Sequence, residues 1–394
     1  MTNTLIVVVA ARISEWIQKG EISSGYFNPD DRFKKILVVS LLPDQPDNAA
    51  VGVLCGTREV SFISLNLLTA SGLVCSAGFS PWFVERLIQR SLLPLLPRGE
   101  SFVVRSYGDS FAGMVAAILG KVLGCRSIAS IHTTHTHIPD GEPISLKGRL
   151  LGWLENKSRT FAHEHIDALA PVYSPIMAAI PKKYHGKTYV IANAVAIGPD
   201  NIKSDYGRSG ALKIISVGRL VVGKSVMPLL EALKDLGGWE LTIIGDGPCR
   251  EEIRNWLRRQ GKESQVRLIP TMRNVELVSF LQQFDVFATH TAYAEIPKTV
   301  IEAGLVGLPI VLNEPSSFFA HEYKGAPVCW VKGDVTSYRE AFRKLGSDSV
   351  DLQELGTTTR SHFETVFSPD SSGKKMADLI SRTPNENLRP WNKD

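Results

Sequence analysis

The sequence predicts an α/β chain of two doubly wound, Rossmann-like halves, and three observations carry that prediction. Apolar runs of five to eight residues, rich in Val and Ile, alternate with longer segments of helical period. That alternation marks a parallel sheet covered by helices on both faces. It breaks in a polar stretch from Gly198 to Gly210, then resumes in cleaner form; such a stretch reads as an interdomain linker. A length of 394 residues suits two domains, each able to bury its own core.

In the first half the predicted strands are Leu5–Ala10, Lys35–Ser40, Glu59–Ser64, Ser101–Arg105, Ser127–His132, Asp167–Pro171 and Thr188–Ala192. A helix over Phe111–Gly120 carries small residues suited to close packing on a sheet, and an apolar-striped helix spans Leu146–Ala162. In the second half the strands are Lys213–Val217, Glu240–Ile244, Val266–Pro270, Asp285–Thr289, Pro309–Asn313 and Pro327–Val331. Helices fill the gaps at Val226–Leu236, Arg250–Gln260, Asn274–Gln283 and Lys298–Val306, and the tail beyond Leu352 adds one or two more. The predicted organisation is a domain over 1–197, a linker over 198–210, a second domain over 211–358, and C-terminal helices over 359–394 that pack back on the first domain.

Composition narrows the class of function. With 44% hydrophobic and 21% charged residues the chain is an ordinary globular one, which excludes disorder, collagen and coiled coil. A net charge of +4 is too small for a dedicated nucleic-acid binder, yet it permits a basic patch facing phosphates or an anionic membrane. Cys55, Cys75, Cys125, Cys249 and Cys329 are scattered singly, so neither a disulfide framework nor a zinc ribbon is expected, but buried thiols in a reducing compartment. The apolar run Leu5–Ala11 is too short to span a bilayer, and Arg12, Glu15 and Lys19 follow it at once, unlike a signal peptide. The expected location is cytoplasmic, with peripheral contact at the inner face of the membrane left open.

In doubly wound sheets ligands bind beyond the carboxyl ends of the strands, so the chemistry is sought there. After the first strand of the second half comes Gly218-Arg219-Leu220-Val221-Val222-Gly223-Lys224, a glycine at the strand end followed by two cations five positions apart. A diphosphate needs free amides and such cations; the alternative is a solvated loop. After the second strand comes Gly245-Asp246-Gly247-Pro248, a tight turn into a helix with Pro at its start. After the fourth comes Glu295-Ile296-Pro297-Lys298-Thr299-Val300-Ile301-Glu302, in which a helix begins near Pro297 and Lys298 adds charge. Glu302 stands one turn after Lys298 and can accept two ribose hydroxyls; the alternative is an i,i+4 pair with Lys298.

Read in order, Val217-Gly218-Arg219-Leu220, Lys224, Gly245-Asp246-Gly247-Pro248, Glu302-Ala303 and Gly307-Leu308-Pro309-Ile310-Val311 resemble the nucleotide-sugar-binding half of family 4 retaining glycosyltransferases of GT-B fold. The resemblance covers Lys213–Asn313. It implies two domains facing across a cleft, the first on the acceptor side, and a hexosyltransferase-type reaction in bacterial glycan or polysaccharide biosynthesis. It implies that Arg219 and Lys224 bind the donor diphosphate and Glu302 the ribose. The loops at Gly245–Pro248 and Thr271–Met272 would frame the base, and the backbone at Pro297–Thr299 would meet phosphate and sugar. The nucleotide sugar is then a substrate, the other partner is a glycan or lipid-linked acceptor, and no cofactor and no metal are implied.

The first half fits more loosely. Ile13–Pro29 resembles the N-terminal region of one bacterial branch of that family, making Gly20 a candidate for approaching the donor phosphates; the alternative is a helix C-cap after Lys19. His132 falls where the family has a His reaching the donor sugar, the alternative being a capping or core residue. Arg105, Tyr107 and Asp109 follow another strand and are candidates for the acceptor side. Pro81–Arg90 mixes aromatic, aliphatic and basic residues, which suits either an anionic membrane or a helix packed on the sheet with two exposed arginines.

Two departures stand out. Six residues separate Glu295 from Glu302 where the family has seven, which puts the donor sugar in question unless Glu295 fills the first position through a one-residue shift. Ala192-Asn193-Ala194-Val195 replaces the more usual Pro-Asn-Gly-Val before the linker. His132, His135 and His137 cluster without a paired carboxylate, and His163-Glu164-His165 lacks the HExxH spacing. The readings kept beside a transferase are a non-catalytic nucleotide-sugar-binding subunit and a nucleotide-sugar epimerase or phosphorylase of the same fold. A dinucleotide dehydrogenase is disfavoured, because no GxGxxG follows a strand.

Overall fold

The computed structural model describes residues 4–19, 24–57, 59–133, 146–208, 210–293, 295–315, 318–381 and 389–391, without the side chains of Lys19 and Lys147. The chain forms two compact units, Met1–Asn193 with Pro369–Asp394, and Ala194–Ser368.

The first unit holds strands β1 (Thr4–Val9), β2 (Lys35–Ser40), β3 (Glu59–Ser64), β4 (Phe102–Tyr107), β5 (Arg126–Ile131) and β6 (Ala168–Pro171). They pair in parallel in the order β3-β2-β1-β4-β5-β6. All six residues of β1 are buried, as a central parallel strand requires. Its helices are α1 (Ile13–Lys19), α2 (Asn48–Cys55), α3 (Ala70–Cys75), α4 (Pro81–Ser91), α5 (Phe111–Leu123) and α6 (Leu146–His165). Helix α5 is buried from Phe111 through Gly120, and at Gly113 it approaches α6 closely enough that an added Cβ would stand 3.1 Å from that of Ala162.

Thr188–Ala192, predicted as a strand, does not become one. Tyr189 and Ile191 donate from their backbone to Leu169 and Pro171 beside β6, but only an isolated Leu169–Thr188 bridge results. Pro171 has no N–H to return, so the parallel ladder stops there. Nor are the five thiols all buried. Cys55 and Cys249 are, whereas Cys75 is exposed, because it ends a short surface helix, and Cys125 and Cys329 are half-buried.

The second unit repeats the plan. Strands β7 (Leu212–Val217), β8 (Trp239–Ile244), β9 (Val266–Ile269), β10 (Val286–Thr289), β11 (Ile310–Asn313) and β12 (Cys329–Val331) form a parallel sheet in the order β12-β11-β10-β7-β8-β9. Its helices are α7 (Met227–Leu233), α8 (Arg250–Gln260), α9 (Asn274–Leu281), α10 (Lys298–Val306), α11 (Val335–Leu345) and α12 (Leu352–Phe367). The stretch read as a linker is fastened to this unit: the Lys203 amide donates to Val306, and the Tyr206 hydroxyl to the Gly307 carbonyl at 2.7 Å. The last helix, α13 (Lys374–Ser381), belongs to the first unit, where Met376, Leu379 and Ile380 join the core and Arg32 meets the buried Asp378 at 3.3 Å. Among the described residues no helix is long and apolar enough to cross a membrane.

Candidate functional site

In each sheet the order reverses beside the first strand of the unit, between β1 and β4 and between β7 and β10. Crevices beyond the carboxyl ends of strands at such points are where open α/β sheets bind ligands. The loops after β7 and β10 are bonded to each other there, the Ala292 amide donating to the Gly223 carbonyl at 2.8 Å. Gly223 is packed against the ring of Tyr293, and any side chain there would strike it.

These loops bring Lys224 and Glu295 together. Lys224 Nζ lies 2.5 Å from Glu295 Oε1, with both side chains largely buried. Glu295 also accepts from the Thr291 hydroxyl at 3.4 Å. Thr291 is clamped by Asn313 at the end of β11, whose side chain accepts from its amide and donates to its carbonyl, both at 2.9 Å. Arg219 stands nearby in sequence, exposed and without an ion pair among the described residues.

Helix α10 begins at the same edge. Its Thr299 hydroxyl donates to the carbonyl of Val217, the last residue of β7, at 3.1 Å, with Pro297 as N-cap. One turn in, Glu302 is 1% exposed and its Oε1 meets two partners: Lys298 Nζ at 3.2 Å and Asn274 Nδ2 at 2.6 Å. The i,i+4 pair is therefore formed, but it is one half of a shared carboxylate, and the other half comes from the start of α9. Asn274 escapes a reading of the sequence because it stands 28 residues from its partner; its only signal is an amide residue opening the helix after Thr271–Met272.

The turn after β8 closes on the turn after β7. Gly218 donates from its backbone to Ile244, and Leu220 to Asp246. A Cβ on Gly245 would collide with the Gly218 carbonyl, and one on Gly247, at φ +150°, with the Leu220 carbonyl. Arg250 Nη1 donates to the Gly245 carbonyl at 2.8 Å, a second contact the sequence does not announce. Asp246, Thr271 and Lys298 are exposed, and Met272 is half-buried.

In the first unit a separate group forms at the carboxyl ends of β4 and β5. The His132 and Tyr107 rings stack at 5.3 Å, and the buried Arg105 lies over Tyr107 at 4.6 Å while donating to the Ser130 hydroxyl at 2.9 Å. Nε2 of His132 is enclosed and has no hydrogen-bond partner among the described residues. Burial first, and then the charge of Arg105, hold its pKa down to about 3, so the ring is neutral. Burial likewise raises Tyr26, whose carbonyl accepts from the Tyr107 hydroxyl, to about 12. Asp109 turns away from this group toward α6, with His163 Nε2 at 2.8 Å and Arg159 Nε at 3.5 Å. Gly20, His135 and His137 lie outside the described residues, and among the described ones no cluster of three or more His, Cys, Asp or Glu is set to hold a metal.

With this geometry in view, comparison with known proteins is specific. Residues 200–362 match the family model described as Glycosyl transferases group 1. A lipopolysaccharide core biosynthesis glycosyltransferase of Rhizobium meliloti, LpsD, is 26% identical over 176 residues, 44% of this chain and 50% of that protein. An exopolysaccharide phosphotransferase of Streptomyces coelicolor is 23% identical over 248 residues, 61% of this chain and 24% of that protein. The chain thus spans half or less of the length of these relatives. Among solved structures, the lipopolysaccharide outer core galactosyltransferase WaaB is similar at a TM-score of 0.64 and 17% identity, covering 97% of this chain and 100% of that one. Anabaena HepE, solved with UDP and glucose, gives 0.65 and 15% over the same shares. Residues 200–362 are thus similar to a glycosyl transferases group 1 domain, and the chain as a whole has the GT-B fold.

Proposed function

We propose that this chain is a retaining glycosyltransferase that moves a sugar from a nucleotide-diphosphate donor to an acceptor hydroxyl in the building of a bacterial surface glycan. The observation that carries the reading is the arrangement at the β7–β10 reversal: Lys224 held by Glu295, an exposed Arg219 in the same loop after β7, and a buried Glu302 one turn into α10. The names of the similar proteins, biosynthetic enzymes of lipopolysaccharide and exopolysaccharide, support the acceptor class.

In this reading the bond from the anomeric carbon to the phosphate oxygen breaks, and a bond from that carbon to the acceptor oxygen forms on the same face. The acceptor proton passes to the departing diphosphate oxygen, so no protein base is required. Charge grows on the diphosphate as its bond breaks, and in this reading Arg219, Lys224 and the first-turn amides of α10 stabilise it. Glu295 orients Lys224 and faces the transferred sugar, which is how a Glu one residue out of register serves the site. Glu302 takes the ribose, and the loops at Asp246 and at Thr271–Met272 take the base. His132, Arg105 and Tyr107 form a second group, proposed to contact sugar or acceptor.

The experiment is a calorimetric screen of nucleoside diphosphates, followed by turnover of the matching nucleotide sugars with an acceptor pool. If both Lys224→Ala and Arg219→Ala turn over donor as the parent does, the site lies elsewhere. Tight nucleotide binding with no turnover against any acceptor would favour the binding-subunit reading, and conversion of the donor without an acceptor would favour an epimerase.

A further inference from the structure

The first unit carries two tryptophan–cation pairs built alike on different helices. On α4, Arg86 lies over the ring of Trp82 at 5.4 Å; on α6, Lys157 lies over Trp153 at 3.8 Å. Both are i,i+4 pairs, and both tryptophans face solvent, at 60% and 53% exposure. Phe83 stacks edge-on against Trp82 at 4.6 Å and is exposed too, as are Leu146 two turns and Leu150 one turn before Trp153. The two helices flank α5, and an added Cβ on Gly78, two residues before the N-cap of α4, would stand 3.6 Å from Leu154 on α6. The start of α4 and the middle of α6 therefore adjoin.

A soluble surface rarely leaves two tryptophans and several large aliphatics in the open on adjoining helices. The charge around them has one dominant sign. Arg86, Arg90, Arg149 and Lys157 are exposed, whereas Glu85 is tied to Lys121 at 3.4 Å and Glu155 is half-buried. Indole rings with adjacent cations and flanking aliphatics suit the headgroup layer of an anionic bilayer: the rings enter the interface while the cations meet lipid phosphates. A folded partner protein would need a matching acidic groove, whereas a lipid surface needs only the area and the sign of charge.

We propose that this face of α4 and α6 docks the protein on an anionic membrane surface. The inference rests on the first unit alone and stands whether or not the reaction proposed above is right. The experiment is co-sedimentation of the full chain with vesicles of phosphatidylcholine, and of phosphatidylcholine mixed with phosphatidylglycerol, with tryptophan emission followed in parallel. The expected result is binding to the mixed vesicles with a blue shift, and little to the neutral ones. Arg86→Ala and Lys157→Ala should each lower the partition coefficient roughly fivefold, and Trp82→Ser with Trp153→Ser should abolish the blue shift while far-UV circular dichroism stays that of the parent. Failure of the parent to bind mixed vesicles, or equal binding by the tryptophan double variant, overturns the proposal. So does a parent that self-associates in sedimentation where the double variant does not, since a second copy would then be the occupant.

Discussion

Lys224 and Glu295, 71 positions apart, share a short ion pair in which the lysine is 18% and the glutamate 12% exposed. Each holds the other in a partly dry place, at the end of two loops that are themselves bonded together. Removing either partner leaves the other half-buried and uncompensated. Lys224→Ala is expected to cost roughly 2 kcal/mol of stability. Under the proposed reaction it also slows donor turnover on the order of a hundredfold or more. Denaturant melts set beside single-turnover rates separate the two effects.

The shared carboxylate of Glu302 gives a second expectation. Asn274 and Lys298 both engage its Oε1. Asn274→Ala removes the hydrogen bond that comes from α9 and leaves the helical pair. Nucleotide affinity should then fall about tenfold to a hundredfold, the worth of a hydrogen bond to a charged group. Titration calorimetry with the bound nucleotide is the check, and an unchanged Kd would mean the ribose does not depend on this carboxylate's position.

Gly245 offers a backbone test. Any Cβ there collides with the carbonyl of Gly218, which is fixed by its own amide bond to Ile244. Gly245→Ala must push apart the turns after β7 and β8, an overpacking that costs roughly 1–3 kcal/mol. In a unit of this size that lowers Tm by about 2–4 °C per kcal/mol. Gly237→Ala, where a Cβ meets open space, is the control and should leave Tm within about a degree or two.

His132 makes stability depend on pH in a definite direction. Its ordinary value is 6.5, and burial and then Arg105 depress it to about 3 in the folded chain. Between those values the unfolded chain binds the extra proton, so the contribution of the neutral ring is complete above about 6.5 and is lost as pH falls toward about 3. His132→Asn should narrow the stability gap between about pH 7 and about pH 4. Paired urea titrations measure that gap; a gap as wide as the parent's would mean that this ring titrates normally in the fold.

The elements were legible in the alternation of strand-like and helix-period segments: the buried strand Lys35–Ser40, the edge strand Glu59–Ser64 and the helices Arg250–Gln260 and Lys298–Val306 are predicted to the residue. The strand ends followed from the same pattern, and with them the positions of Arg219, Lys224 and Glu302. What the sequence withheld are relationships rather than residues. Nothing local says that Asn274 will reach Glu302, or that Asp109 will turn to His163 across 54 positions instead of joining Arg105 and Tyr107. The failed strand at Thr188–Ala192 has the same origin, for its own composition is strand-like and the missing N–H belongs to Pro171 on its neighbour. The one-residue shift at Glu295 looked like a defect in a linear alignment, yet in space its carboxylate sits on Lys224.

The return of α13 to the first unit orders events during synthesis. Most of that unit leaves the ribosome first, but Met376, Leu379 and Ile380 of its core follow only after every residue of the second unit has been made. Domains commonly fold in order from the N-terminus as they emerge; here the earlier unit must wait with an open apolar flank while the later one can already close. A chain truncated after Ser368 and released should therefore present a protease-sensitive first unit and a resistant second one, and the full chain should protect both.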